Sequence, residues 1–344
     1  MKRVLLAKPF QLEITDAPIP RPKRGEVQVK VTNCGICGSD PTIFKGDHPF
    51  CPPPVVMGHE FSGIIGALGE GVDDIKVGTR VTVLPHLTCG KCEMCRQHRS
   101  NLCAEVKCIG GQADGAHTEY VCLGREMVFP IPDNMSLDDA AMMEPACVGY
   151  HGARRAMLKP DDVVLVFGAG AIGNFAMQSC KAIGCKTVLI ADYDSWRLNL
   201  AESLGADAAI DLNKETVCAA EKRVLGESRR IDVFFDCVGG GGGVLDAIID
   251  CARRDARIVV IGVQSESVTV RKLPYIVEHE LAIFGSNMYD ESDYREMLNH
   301  MGNGKVGTKG MITHRFTLDR IRNAFDFVVG RKEPFFKVML DIGG

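Results

Sequence analysis

The sequence lacks the long apolar runs and the basic clusters that would place a chain in a membrane or on nucleic acid. No apolar segment approaches the length of about 18 residues that a membrane-spanning helix needs. The 344 residues carry a net charge of −4 with a pI near 6.2, and the basic residues form only short runs. We therefore expect neither a membrane partner nor a nucleic-acid partner.

We expect no export signal, because Lys8 and Pro9 interrupt the apolar run at the amino terminus. The cytoplasm is the expected location. In that reducing compartment the 15 cysteines favour free thiols and metal ligands over a disulfide framework. With 46% hydrophobic and 24% charged residues the chain is typical of a globular protein, and its length predicts about two domains.

A glycine-rich turn lies at the centre of the chain, between predicted strands at 163–167 and 187–191. It comprises Gly168, Gly170, Ala171, Ile172 and Gly173. The first glycine permits a tight turn, the second lets the backbone approach a pyrophosphate, and the third lets the following helix pack on the strand. The helix N-terminus would offer free N–H groups to phosphates. Asp192 ends the second strand, 19 residues after Gly173, so the pattern predicts a dinucleotide site.

Helices and buried-type strands alternate after Asp192 up to about residue 285, which predicts a parallel sheet covered on both faces. Open sheets of this class bind ligands outside the carboxyl ends of their strands. Val238, Gly262 and Val263 follow two such strands, and we assign them to the cofactor site. Residues 1–130 instead read as short strands with long loops, and the pattern after residue 287 returns to that first domain.

A first set of metal-ligand candidates surrounds the strands of the β-rich part. Cys37 follows one strand, His59 and Glu60 precede another, and Glu144 stands before a proline in an apolar helix spanning about 136–158. A catalytic zinc site takes three protein ligands and leaves a fourth position open. Cys37 and His59 with one carboxylate would fill that role, and the residues alone do not decide between Glu60 and Glu144.

A second set is formed by four cysteines within 15 residues, at Cys89, Cys92, Cys95 and Cys103. Four crowded thiolates in a reducing compartment need a cation, and four ligands leave no open position. This spacing predicts a structural zinc lobe over 89–103.

Together these motifs resemble the zinc-dependent medium-chain alcohol dehydrogenases along essentially the whole chain. Within that family the similarity is greatest to the branch of polyol, threonine and sugar-acid (hexonate) dehydrogenases. The motifs that carry it are Cys34–Asp40, Gly58–Glu60, the four-cysteine lobe, Asp114–Tyr120, Glu144-Pro145, the Gly168 turn and Gly285–Asn287.

The resemblance implies an α/β protein with two domains. A GroES-like β-rich catalytic domain would comprise 1–147 and 287–344, including the zinc lobe, and a Rossmann domain with a doubly wound parallel sheet would comprise 148–286. It also implies a catalytic zinc on Cys37 and His59, a homodimer or homotetramer, and a proton relay through Ser39. Thr42 stands where many relatives carry the outer histidine of that relay, so the route beyond Ser39 is open.

The expected reaction is hydride transfer from a secondary alcohol to NAD, giving the ketone. Asp192 would bind the ribose hydroxyls and repel a 2′-phosphate, which predicts NAD over NADP, and Arg197 would soften that preference. The polar loop 44–50, with Lys45, Asp47 and His48, and Asn287 favour a polyol or sugar acid as the small-molecule substrate.

Three alternatives stay open. An amino alcohol such as threonine is the second choice of substrate. A zinc hydrolase would also use a Cys/His/Glu site with an open water position, although the dinucleotide motif argues against it. A zinc-ribbon protein that grips nucleic acid through the four-cysteine lobe is disfavoured by the acidic pI.

Overall fold

The computed structural model describes residues 1–227, 230–264, 267–331 and 333–343, and the chain divides into two compact units. The first unit comprises Met1–Glu144, Asp290–Gly302 and Gly310–Gly344. The second comprises Pro145–Tyr289 and Asn303–Lys309.

The strands and helices follow the chain in three stretches. Up to residue 155 they are β1 (Lys2–Lys8), β2 (Gln11–Asp16), β3 (Glu26–Ile36), α1 (Asp40–Lys45), β4 (Glu60–Leu68), β5 (Arg80–Val83), β6 (His86–Leu87), α2 (Glu93–Arg96), β7 (Lys107–Cys108), β8 (Tyr120–Gly124), β9 (Val128–Pro130), α3 (Leu137–Ala141) and α4 (Met143–Arg155). From there to residue 285 they are β10 (Val163–Phe167), α5 (Ala171–Ile183), β11 (Thr187–Asp192), α6 (Ser195–Ser203), β12 (Ala208–Asp211), α7 (Val217–Leu225), β13 (Val233–Asp236), α8 (Gly243–Cys251), β14 (Arg257–Val260), α9 (Leu273–Glu278) and β15 (Ala282–Gly285). The last stretch holds α10 (Glu291–Gly302), β16 (Ile312–Thr317), α11 (Ile321–Gly330) and β17 (Lys337–Asp341).

The second unit is built on a six-stranded parallel sheet with the order β12-β11-β10-β13-β14-β15. All five residues of β10 are buried, as expected for a central strand covered by helices on both faces. The chain leaves β10 toward β11 on one side and returns to β13 on the other. That reversal is the point at which doubly wound sheets bind ligands, outside the carboxyl ends of the strands. The predicted parallel sheet is confirmed.

The first unit is built on a mostly antiparallel sheet with the order β16-β17-β3-β4-β5-β9, and β8 also pairs with β3. The register places Gly35 of β3 opposite Glu60 of β4, and Ile36 opposite Val338 of β17. The end of β3 and the starts of β4 and β17 therefore meet at one edge of the sheet. A buried apolar cluster including Val29, Val31 and Phe61 lies beneath it.

Three local features differ from the sequence-based expectations. The single helix expected at about 136–158 is divided into α3 and α4, and Met142 is the C-cap residue of α3. Helix α9 was not predicted. Cys218 of α7 and Cys251 of α8 form a disulfide, whereas reduced thiols were expected throughout. In the described part of the chain, no helix has the length and the apolarity needed to cross a bilayer.

Candidate active site

Three ligand atoms converge where β3, β4 and β17 meet. Cys37, His59 and Glu60 each bring one ligand atom to within 4.8 Å of the others. Cys37 is half-buried, whereas His59 and Glu60 are buried. Burial lowers the pKa of His59, but the charge of Cys37 and a hydrogen bond to it raise that pKa well above its usual value. A thiolate, an imidazole and a carboxylate at this spacing match the donors that zinc accepts in a catalytic site.

Asp40 lies behind two of these residues and was not singled out from the sequence. One of its carboxylate oxygens accepts the Cys37 N–H at 2.8 Å, and the other lies 3.9 Å from Nδ1 of His59. The side chain is fully buried, and burial raises its pKa to about 6, against the lowering effect of the His59 charge. A carboxylate behind a histidine fixes the ring's orientation at metal sites. The sequence offered one signal for Asp40, its position three residues after Cys37.

Glu60 is held by a lysine from the far end of the chain. Nζ of Lys337 lies 2.8 and 2.6 Å from the two carboxylate oxygens, and both side chains are at most 5% exposed. Gly35 makes room for this pair, because a Cβ there would collide with the Glu60 carboxylate. No local pattern pointed to Lys337, which lies 277 residues from its partner in sequence.

Glu144, the other carboxylate candidate, lies half-buried in the first turn of α4. It is not a member of the three-residue ligand group, but its charge raises the pKa of Lys337 and of Cys108. The pKa of Cys108 reaches about 12, chiefly because of burial. The Glu144 carboxylate therefore lies within electrostatic range of the ligand group.

Ser39 stands at the N-cap of α1, between Cys37 and Asp40, and its hydroxyl caps no backbone N–H. Of the predicted substrate loop 44–50, Phe44 belongs to α1 and is buried, with its ring centroid 5.0 Å from that of Phe325. His48 is half-buried, and burial and then the charge of His59 lower its pKa, which places it near the ligand group.

The four-cysteine lobe also brings its ligands together. The sulfurs of Cys89, Cys92, Cys95 and Cys103 lie within 4.8 Å of one another. Backbone N–H groups donate to them, as from Cys92 to Cys89 and from Cys89 to Cys103, each at 3.4 Å. Backbone N–H groups, chiefly that of Cys95, lower the pKa of Cys92 to about 6, whereas burial and the neighbouring thiols raise the pKa of Cys95 to about 12, so the four sulfurs share protons when no cation is bound. Four thiolates fit a closed structural site.

In the second unit, the glycine turn has the geometry of a phosphate cradle. Gly168 has a φ of +93°, which favours glycine, and a Cβ on Gly173 would collide with the carbonyl of Gly168. A Cβ on Gly170 would meet only Arg197, at 3.9 Å, so that side of the turn is open. Gly170 is also the N-cap of α5 and has no capping side chain. The first N–H groups of α5, at Ala171 and Ile172, are thus positioned for an anion.

A cavity of about 810 Å³ lies between the carboxyl ends of β10, β11 and β12 and the helices α7 and α8. Phe167, Tyr193, Leu212, Cys218 and Cys251 are among its lining residues. Asp192 ends β11, and its carboxylate accepts the N–H of Ala169 at 2.6 Å. Arg197 reaches back to the turn, with Nη1 3.9 Å from the position that a Cβ on Gly170 would occupy. An adenosine fits this position chemically, because a carboxylate for ribose hydroxyls stands beside the phosphate cradle.

The predicted cofactor residues on the other side of the turn lie in two loops after β13 and β14. Val238 and Val263 are 56% and 90% exposed, and Gly262 packs against Gly239. Val238 also contacts the turn, because a Cβ on Gly168 would lie 2.9 Å from its Cγ2 atom. These exposed valines are an apolar surface at the ligand-binding edge of the sheet.

Comparison with known proteins identifies the family. Residues 23–133 match the model of the alcohol dehydrogenase GroES-like domain, and residues 171–303 match that of the zinc-binding dehydrogenases. Sorbitol dehydrogenase of Bacillus subtilis is 31% identical over 99% of this chain and 97% of its own. L-idonate 5-dehydrogenase of Vitis vinifera is 33% identical over 92% and 88%, respectively.

A solved structure with the same fold is the RspB alcohol dehydrogenase of Escherichia coli CFT073, complexed with NADH. It is 34% identical, with a TM-score of 0.90 over 99% of both chains. The expected GroES-like and Rossmann folds and the two kinds of zinc site are thereby supported. The chain belongs to the zinc-dependent medium-chain alcohol dehydrogenases, a family of oxidoreductases that act on small molecules with zinc and a nicotinamide cofactor.

Proposed function

We propose that this protein oxidises a secondary alcohol of a polyol or sugar acid to the ketone and passes the hydride to NAD. The observation that carries the proposal is the convergence of Cys37, His59 and Glu60, three different zinc donors, which is the number of protein ligands that a catalytic zinc site takes. The similarity to sorbitol and idonate dehydrogenases supports the substrate class, because both act on polyhydroxylated molecules.

Cys37, His59 and a carboxylate would hold the catalytic zinc, and the four cysteines of the lobe would hold the structural one. When bound, zinc supplies a Lewis acid that acidifies the substrate hydroxyl, and NAD supplies the hydride acceptor. Ser39 would take up the hydroxyl proton, because its Oγ caps no backbone group and lies two residues from Cys37. Asp40 keeps His59 oriented, and Lys337 neutralises Glu60.

The choice between the two carboxylates follows from the ligand group, which contains Glu60 and not Glu144. We infer that Glu60 is the direct ligand and that Lys337, which donates to both of its oxygens, fixes its carboxylate. Glu144 lies within electrostatic range, since its charge raises the pKa of Lys337. Glu60→Gln should then release most bound zinc, whereas Glu144→Gln should retain it, as measured by metal analysis.

NAD is the proposed cofactor because the Asp192 carboxylate would repel a 2′-phosphate. Arg197, close to Gly170, would contribute attraction for phosphate and allow weak use of NADP. Asp192→Ser should shift the preference toward NADP about tenfold or more, since a hydrogen bond to a charged group contributes about 1.5–3 kcal/mol. Steady-state kinetics with both cofactors measures this shift.

His48 supports a polyhydroxylated substrate, because burial holds its pKa down and a neutral imidazole can both donate and accept hydrogen bonds. The decisive experiment follows NADH absorbance with hexonates, polyols, inositols and threonine, with a chelator control and a Cys37→Ser control. Turnover of a polyol or hexonate that is lost in both controls supports the proposal. Turnover of threonine alone would replace the substrate class, and no binding of either dinucleotide would refute the proposal.

We also propose a homodimer or homotetramer formed through the second unit. Strand β15 is the outer strand of its sheet, and Ile283 on it and the nearby Val277 are 39% and 74% exposed. An exposed edge strand with apolar side chains is a template for pairing with another chain. Ile283→Lys should reduce the sedimentation coefficient to that of a monomer, while Val77→Lys, at an exposed site in the first unit, should not.

A further inference from the structure

One buried carboxylate fastens the two loops that carry the exposed valines. Asp236 ends β13, and its side chain is only 1% exposed. Its Oδ1 accepts the N–H groups of Val238 at 3.0 Å and Gly239 at 3.2 Å. Its Oδ2 accepts Nε2 of Gln264, in the other loop, at 2.9 Å.

The backbone of the same residue completes the connection. Its carbonyl accepts the N–H groups of Ile261 and Gly262, both at 2.9 Å. The loops also touch each other directly, because a Cβ on Gly262 would collide with the backbone of Gly239. The conformation of both loops therefore depends on Asp236.

Within the ranges that the structure describes, no cationic side chain forms an ion pair with Asp236. A buried carboxylate is costly unless hydrogen-bond donors stabilise it. Here those donors are the two loop N–H groups and the Gln264 amide. If the loops moved apart, the charge would lose its donors, so the charge and the loop geometry stabilise one another.

The position of the loops indicates which half of a dinucleotide they would meet. Asp192 ends β11, which pairs with β10 and, on its other side, with β12. Strands β13 and β14 lie on the opposite side of β10. A dinucleotide with its pyrophosphate on the turn and its adenosine at Asp192 would therefore place its nicotinamide half over Val238 and Val263.

We propose that Asp236 is a positioning residue that sets the surface for the nicotinamide half of the cofactor. This inference rests on the proposed dinucleotide function. Because the adenosine half lies over other strands, loss of the hydrogen bonds to Asp236 should weaken binding of the whole dinucleotide. Binding of a ligand without nicotinamide should be unchanged.

The test compares two probes, NADH and ADP-ribose, in calorimetric titrations of the full-length protein. Asp236→Asn keeps the shape of the side chain but turns an amide donor toward the Gln264 amide. NADH affinity should fall about tenfold or more, the usual consequence of losing a hydrogen bond to a charged group, while ADP-ribose affinity stays within about twofold. The second-site change Gln264→Glu in the same protein should restore NADH affinity, because it exchanges donor and acceptor.

Asp211→Asn is the matched control, since Asp211 ends β12 on the adenosine side and accepts the N–H of Asn213. It should change both affinities by the same factor. If Asp236→Asn does not fold, Gln264→Leu removes one donor alone and should weaken NADH selectively. Equal losses for both probes, or no loss for either, would overturn the inference. Failure of the wild-type protein to bind NADH would instead refute the proposed function.

Discussion

Among the residues outside the ligand group, Lys337 is the one whose substitution should lower the stability of the protein most. Removing one partner of a buried ion pair leaves an uncompensated charge and costs about 3–5 kcal/mol. Lys337→Met should therefore lower the unfolding free energy by that amount and reduce the zinc content. Urea unfolding and metal analysis measure the two effects.

The exposed pair Lys2–Asp319 supplies the control for Lys337→Met. Its side chains are 49% and 60% exposed, and such pairs contribute about 0–1 kcal/mol. Lys2→Met should consequently have little effect. An equal loss in the two variants would contradict the importance of burial for the Lys337–Glu60 pair.

His117 predicts a pH dependence of stability. It is fully buried, neither of its ring nitrogens has a hydrogen-bond partner among the described residues, and burial lowers its pKa to about 3. The unfolded chain takes up a proton near pH 6.5 and the folded chain does not. Stability is therefore lost as the pH falls from about 6.5 toward 3, by up to about 1.4 kcal/mol per pH unit.

His117→Leu should remove this contribution and make the unfolding free energy fall less steeply with acid. Urea unfolding monitored by circular dichroism at several pH values tests this expectation. Substitution of the exposed His98 by leucine serves as the control and should leave the slope unchanged. An unaltered slope in His117→Leu would mean that the imidazole is protonated in the folded state.

The sequence could predict single residues where chemistry imposes a spacing. The thiols of 89–103 and the pair Cys37 and His59 were found because metal ligands recur at such positions, and the family is confirmed. Their individual roles stay predictions. Lys337 could not be found, because strand pairing and not spacing brings it to Glu60.

At the scale of elements, the bond between Cys218 and Cys251 ties α7 to the end of α8 across 33 residues. A cross-link over a loop of this size contributes about 2–4 kcal/mol, mainly by restricting the unfolded chain. Replacing both cysteines with serine should lower the unfolding free energy of the second unit by that amount in the absence of reductant. With reductant, the wild-type protein and the variant should become equal.

Non-reducing peptide mapping tests the bond directly by searching for the linked peptides. Cys122→Ser, which removes a free thiol in the first unit, is the control and should leave stability nearly unchanged. A wild-type protein with both thiols free after aerobic purification would contradict the pairing.

The predictability of the elements follows from their surroundings. Strands β10, β11 and β13 were predicted closely, because a strand buried on both faces reads as a continuous apolar run. The separation of α3 from α4 was missed, because apolar residues continue through Met142 and Met143 without a glycine or a proline between the helices. The disulfide was missed because its cysteines carry no spacing signal.

At the scale of the whole molecule, the only tryptophan reports on one unit alone. Trp196 lies in α6 of the second unit. NADH at about 100 times its dissociation constant should stabilise that unit by about 2.7 kcal/mol and move the fluorescence-detected urea transition upward. A zinc chelator should instead move the transition seen by circular dichroism and leave tryptophan fluorescence unaffected. If both probes shift together under both treatments, the units unfold as one.

The order of the strands also determines which sheet can form first while the chain is being synthesised. Every strand of the parallel sheet lies between residues 163 and 285, so this sheet can form once that contiguous stretch has emerged. The sheet of the first unit cannot form until the end of synthesis, because β17 lies between β16 and β3 and is the last of its strands to be made. At a synthesis rate of about 5–20 residues per second, β3 therefore stays unpaired with β17 for many seconds. The amino-terminal half of this enzyme thus folds last, and a nascent chain halted before residue 337 would expose an incomplete sheet to chaperones and proteases.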